Sequence, residues 1–153
     1  MAGVVVTVTE VGGQQVHRAD HGPYIAAVGQ ALESRDVHVA EATVAIAGNG
    51  RREAMLMLHP DGESFAAEAP EVLALRWDED CGWRLDTGYR TGGTSTFREG
   101  TAVLPSPDAV AAWVVVALTY PALAAPGDVT GFRRHGDADP GFEARLARYA
   151  AGS

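Results

Sequence analysis

Two short segments of the chain place an imidazole near a carboxylate, the combination that general acid–base catalysis uses. In the first, His17-Arg18-Ala19-Asp20-His21, two histidines lie four residues apart with an aspartate between them. On a helix, this spacing would turn both imidazoles toward one metal ion. Pro23 indicates instead that a helix begins just afterwards, and the glutamate of a His-Glu-x-x-His motif is missing. We therefore predict no metal here; Asp20 is expected to cap the helix, and Asp20 and His21 remain candidate catalytic residues.

The second segment is His59-Pro60-Asp61-Gly62-Glu63, at the end of a predicted strand. His59 is a candidate general base, with Asp61 as its acidic partner. Turn formation alone also explains proline, aspartate and glycine at these positions. Both interpretations stay open at the level of sequence.

A predicted hairpin supplies candidate ligand-binding residues. If Asp78-Glu79-Asp80-Cys81-Gly82 is a five-residue loop, Trp77 faces Trp83 on one side of the strands and Arg76 faces Arg84 on the other. Directly opposed like charges are unfavourable, so a carboxylate such as Asp78 or Asp86 is expected to neutralise them. The alternative is an anion-binding face of Arg76, Arg84 and Arg90, because guanidinium forks suit carboxylate and phosphate groups. The three acids of the hairpin tip are predicted to be solvated.

Composition excludes several classes of function. The chain has 153 residues, a formal charge of -8 and a sequence pI near 5.0, which argues against nucleic-acid binding. All twelve basic residues are arginines, which excludes a lysine Schiff base, a pyridoxal-phosphate anchor and a Walker A loop. We predict no cofactor. One cysteine, Cys81, allows no intrachain disulfide, and the longest apolar run is too short to span a bilayer, so we expect a cytoplasmic protein without membrane contact.

The pattern of turns and periodicities predicts an α+β fold in a single domain: an antiparallel sheet of about four or five strands, with two or three helices packed on one face. Residues 1–20 are expected to form a loose arm or an edge strand, Thr91 to Gly100 a loop, and residues 121–153 a C-terminal extension with a short helix. The predicted elements are a helix from Pro23 to Ser34, strands at Val37–Ala47 (with a bulge near Ala40), Glu53–His59, Glu71–Trp77 and Trp83–Thr87, and a helix from Pro107 to Thr119.

Three features together resemble a small actinobacterial family of uncharacterised proteins. They are the early helix around Tyr24 to Leu32, the hairpin Trp77-Asp78-Glu79-Asp80-Cys81-Gly82-Trp83, and Leu104-Pro105-Ser106-Pro107-Asp108-Ala109-Val110-Ala111 at the start of a buried helix. The resemblance covers roughly Pro23 to Leu118. It implies a compact cytosolic domain and no assigned activity, cofactor or catalytic residue.

Two functions are compatible with these patterns. The first is a non-enzymatic binding or regulatory protein that acts through a homodimer interface or an apolar groove, since Ala109 to Leu118 is apolar nearly all round. Its partner would be a second copy, another protein or a small anionic ligand. The alternative is a cofactor-free isomerase, cyclase or hydrolase of secondary metabolism, with an arginine-held anionic substrate. Its pocket would lie between helices and sheet, lined by Tyr24, Trp77, Trp83, Tyr89 and Trp113.

Overall fold

A five-stranded antiparallel sheet and three helices account for the regular structure of the described residues. The computed structural model describes residues 18–60, 71–88, 92–124 and 131–152. The predicted α+β class is therefore confirmed. In chain order the elements are α1 (Gly22–Glu33), β1 (Val37–Ile46), β2 (Arg52–Pro60), β3 (Val72–Asp78), β4 (Gly82–Gly88), β5 (Thr94–Arg98), α2 (Pro107–Thr119), a short 3-10 helix (Pro121–Leu123) and α3 (Pro140–Ala151).

The sheet is a simple meander in which each strand pairs with the next, in the order β1-β2-β3-β4-β5. The register shift predicted near Ala40 is confirmed between Val39 and Glu41 of β1. The predicted loop at Thr91 to Gly100 was wrong in part, because Thr94–Arg98 pairs with β4 as the fifth strand. Its exposed Thr-Ser-Thr start hides the alternation of buried and exposed side chains that identifies a strand.

The two faces of the sheet differ in what covers them. One face carries the buried strand side chains that form a single core with the helices. On β2 and β3 these include Ala54, Leu56, Leu75 and Trp77, which alternate with Met55 and Arg76 on the opposite face. We call that opposite face the open face, since the core lies on the other side of the sheet.

Three buried aromatic side chains fix α1 against the sheet. Tyr24, Trp77 and Trp83 are at most 1% exposed. The Tyr24 hydroxyl donates to the Pro105 carbonyl oxygen at 2.7 Å and accepts from Trp83 Nε1 at 2.9 Å. Trp77 Nε1 donates to the Val103 carbonyl oxygen at 2.8 Å. Because every polar atom of these rings has a partner, burial of the large side chains leaves no unsatisfied polar group on them.

The helices begin close to the positions that their capping residues predict. Ser106 accepts a hydrogen bond from the Ala109 backbone nitrogen at the start of α2. At α1 the N-cap is His21, one residue beyond the predicted cap, and Asp20 Oδ1 accepts from the Gly22 nitrogen at 2.9 Å. Asp20 thus binds the first turn of α1 from just outside it. Among the described residues, no helix is both long and apolar enough to cross a membrane.

The tip of the β3–β4 hairpin is buried rather than solvated, which corrects the expectation for its acids. Glu79 is fully buried, and Asp78 is 4% exposed. The segment after residue 131 lies on this tip, where the Phe132 nitrogen donates to the Asp80 carbonyl oxygen and His135 Nδ1 lies 2.9 Å from Asp80 Oδ2. The hairpin tip therefore anchors the C-terminal part of the chain.

Candidate ligand-binding groove

A groove of about 410 Å³ lies on the open face, at the end of the sheet where the β1–β2 turn and the β3–β4 hairpin come together. Four strands contribute to it. Its lining residues are Thr43, Ala45, Arg51, Glu53, Ala54, Met55, Arg76, Trp77, Asp78 and Arg84. We call this cavity, with these lining residues, the groove.

The register of the sheet explains the shape of the groove. Thr43, Met55, Arg76 and Arg84 are successive cross-strand partners, so they form one row across β1 to β4. Ala45, on β1, lies in the next row. The short side chains of β1 leave room beside the longer ones of β2 and β3, and Met55 and Ala45 supply apolar surface.

The predicted facing of Arg76 and Arg84 is confirmed by the strand register, as is that of Trp77 and Trp83. Carboxylates lie beside both arginines, as one of the two interpretations requires. Arg76 Nε lies 3.1 Å from Asp86 Oδ2, and Arg84 Nη2 lies 3.6 Å from Asp78 Oδ2. The two guanidinium groups are thus held on one surface without unrelieved repulsion.

A third arginine lies at the β1–β2 end of the groove. Arg51 Nη2 donates to Glu53 Oε1 at 3.1 Å. The Nε atoms of Arg51 and Arg84 are shielded from solvent and have no hydrogen-bond partner among the described residues.

The two candidate histidines lie in separate parts of the fold, and Asp20 is next to His21 in the chain. His21 is buried on the helix side of the sheet, stacked on Trp77 at 5.7 Å, and its Nε2 donates to the Glu53 carbonyl oxygen at 2.9 Å. Burial lowers the pKa of His21, which favours the neutral ring. His59 is exposed six residues further along β2, about 20 Å from Glu53 at the usual rise of a strand. Asp61, its proposed partner, lies outside the described residues.

The aromatic residues predicted to line a pocket have different surroundings. The rings of Tyr24, Trp77 and Trp83 are packed in the core between α1 and the sheet. Trp113 is partly buried on α2, against the same core. Tyr89 and Arg90, the other two candidate ligand-binding residues, lie outside the described residues. The described cavity is therefore on the opposite side of the sheet from the predicted one.

Sequence reasoning missed six of the ten lining residues of the groove. Thr43, Ala45, Arg51, Glu53, Ala54 and Met55 had no assigned role, although they lie on or beside the predicted strands Val37–Ala47 and Glu53–His59. The alternation of Thr43, Ala45, Glu53 and Met55 with buried residues was a signal that these four share the open face. This alternation could not show that a cavity lies on that face beside β1. Within the described part of the chain, no three histidine, cysteine or acidic residues are grouped so as to hold a metal ion.

The fold and the groove define an α+β protein built on one antiparallel sheet, with a polar cavity on its open face. Residues 24–116 match the model of a family of unknown function, DUF6292, and since the match covers more than half of the chain, the protein belongs to that family. No curated protein matches the chain. No solved structure matches it either.

Proposed function

We propose that this protein is a non-enzymatic binding protein and that its ligand is a small molecule held in the groove. The observation that carries the proposal is the groove itself, whose lining includes Arg51, Arg76 and Arg84. Its volume falls within the range of about 300–1,000 Å³ usual for small-molecule sites.

The lining supports binding because it combines contact area with directional groups. Met55 and Ala45 offer apolar surface, and Met side chains adapt to ligands of varied shape. Arg76, Arg84 and Thr43 provide hydrogen-bonding groups on the same row of the sheet. This is the arrangement of a mostly pre-formed site in which a few polar groups fix the orientation of the ligand.

The positions of the ionisable groups favour binding over catalysis. A general base must lie within hydrogen-bond reach of the proton that it removes. The acids of the groove are engaged, Glu53 by Arg51 and Asp78 by backbone nitrogens at 3.0 and 2.8 Å. The buried His21 ring lies against Trp77 on the helix side of the sheet. The alternative of a cofactor-free enzyme therefore has no described acid–base pair in the groove to support it.

The test uses methionine labelled with 13C at its ε-methyl group, because the chain has only three methionines. Met55 lines the groove, whereas Met57 lies two residues further along β2, outside its lining. Fractions of small metabolites are added, and the methyl signals are followed by NMR. We expect at least one fraction to shift the Met55 signal much more than that of Met57. Absence of any such fraction, or equal shifts of both signals, would contradict the proposal.

A further inference from the structure

The groove contains more hydrogen-bond donors than its own acceptors can engage. Arg51, Arg76 and Arg84 each carry five N–H donors. Their carboxylate neighbours Glu53, Asp86 and Asp78 contact them through one nitrogen each, at 3.1, 3.1 and 3.6 Å. Asp78 is further committed through Oδ1, which accepts from the Asp80 and Cys81 backbone nitrogens.

Two of these arginines are open to a ligand. The side chains of Arg76 and Arg84 are 53% and 30% exposed, whereas the Nε atom of Arg84 is shielded. A ligand oxygen would therefore accept from the exposed nitrogens of the two guanidinium groups and not from the Arg84 Nε atom. Arg76 lies directly opposite Arg84 in the register, so an acceptor between them would be reached from both strands.

The charge balance of the groove selects the kind of acceptor. The lining contains three arginines and two carboxylates, so its formal charge is +1. A monoanion with two oxygens matches the planar fork of a guanidinium group and adds only one negative charge. A phosphate dianion would place two negative charges beside Asp78, Asp86 and Glu53.

We propose that the groove binds a small organic carboxylate, with the carboxylate received by Arg84 and Arg76 and the apolar part of the ligand against Met55 and Ala45. This inference rests on the proposed function, since it names the chemical class of the ligand in the same groove. The carboxylate class of the ligand does not follow from the family match alone or from the strand register alone.

The experiment compares matched probes that differ only in their polar group. The probes are aromatic and aliphatic acids such as 3-phenylpropanoate, their amides, their amines, and phosphate monoesters of similar length. Binding is followed through the Met55 methyl signal and by calorimetry. We expect the carboxylates to bind about tenfold more tightly than their amides, because hydrogen bonds to a charged group are the stronger ones. Amines and phosphate monoesters should bind more weakly still.

Variants assign the effect to the named arginines. Arg84→Gln and Arg76→Gln are each expected to weaken carboxylate binding about tenfold. Arg84→Lys keeps the charge and loses the fork, so an intermediate loss is expected. Arg35→Gln is the matched control, because Arg35 is exposed in the turn between α1 and β1.

The outcomes separate the inference from the proposed function. If amides, amines or phosphate esters shift Met55 as strongly as the carboxylates do, or if Arg84→Gln behaves like Arg35→Gln, the carboxylate inference is wrong and the groove remains a binding site. If no carboxylate shifts Met55 while a metabolite fraction does, the inference is also wrong. If nothing shifts Met55, the proposed function fails as well.

Discussion

The Glu79 carboxylate has no exposed surface and lies among three arginine side chains. Arg18 Nη2 donates to Glu79 Oε1 at 2.5 Å, and Arg133 Nη1 donates to Oε2 at 2.8 Å. Arg52 lies 3.8 Å away, and its backbone nitrogen donates to Oε1 at 2.9 Å. Since these residues come from four separate segments, one side chain holds together parts of the chain that are distant in sequence.

Neutralising Glu79 should therefore be costly. Glu79→Gln keeps the shape of the side chain and leaves the buried Arg52 and Arg133 without their shared counter-charge, so we expect a loss of about 3–5 kcal/mol in the free energy of unfolding. Urea denaturation measures it. Glu41→Gln, at an exposed position of β1, is the control. Equal stability of the two variants would show that the buried cluster contributes little.

His21 predicts how stability depends on pH. Burial lowers its pKa below the ordinary value of 6.5, so the unfolded chain binds a proton more readily than the folded one. The resulting stabilisation is fully present above pH 6.5 and is lost as the pH falls through the lower, folded pKa. The side chain of His21→Gln can still donate to the Glu53 carbonyl oxygen but does not titrate. Its free energy of unfolding should therefore decrease less steeply than that of the wild-type protein as the pH is lowered from 6.5. Identical pH profiles would contradict this account.

At the scale of the elements, local sequence patterns predicted those features of the helices and strands that depend on neighbouring residues. The β3–β4 register and the start of α2 follow from turn and capping residues that lie within a few positions of the feature, and the bulge of β1 follows from the apolar residues of that strand itself. The burial of Glu79 does not, because its partners Arg18 and Arg133 are more than fifty residues away. The groove likewise depends on how four strands lie side by side.

The surface of α2 bears on the predicted homodimer, which remains a proposal. Its inward side is buried through Val110, Val114 and Leu118, as expected for a core helix. Its C-terminal end and the following turn expose Val116, Tyr120 and Leu123, the last at 75%. Exposed apolar side chains that lie close together are typical of interaction sites, and a second copy of the chain is the partner that we propose.

We expect the protein to sediment as a dimer at micromolar concentrations. Val116→Ser combined with Leu123→Ser should shift the population toward the monomer and leave the thermal unfolding of the monomer little changed, since both side chains are exposed. Sedimentation velocity over a range of concentrations measures the effect. A wild-type protein that stays monomeric at the highest concentration would rule out the homodimer.

At the scale of the whole molecule, the folded core extends further along the chain than the family match does. The match ends at residue 116, whereas α3, at Pro140–Ala151, supplies Phe142 and Leu146 to the core with no exposed surface. Arg133 stacks on the Phe142 ring at 4.0 Å, and Arg52 Nη2 lies 2.5 Å from Glu143 Oε1. The described part of the chain beyond the family match thus contributes buried side chains to the core.

A chain that ends at residue 124 should consequently lose much of its stability. It would lack the buried apolar side chains of α3 and leave Arg52 and Glu79 with fewer counter-charges, and either loss alone costs about 3–5 kcal/mol. We expect a broad urea transition at low denaturant concentration in place of a cooperative one. A shortened chain with the midpoint and slope of the full chain would show that α3 is dispensable.

The central claim, that a small molecule binds in the groove, is tested most directly by native mass spectrometry of gently purified protein against its denatured intact mass. Ala45→Trp fills the groove from β1, and Ala147→Trp places the same side chain at an exposed position of α3, outside the groove. We predict added mass from a small organic acid on the wild-type protein and on Ala147→Trp, and none on Ala45→Trp. A wild-type protein without added mass, or a ligand retained by Ala45→Trp, would contradict the claim.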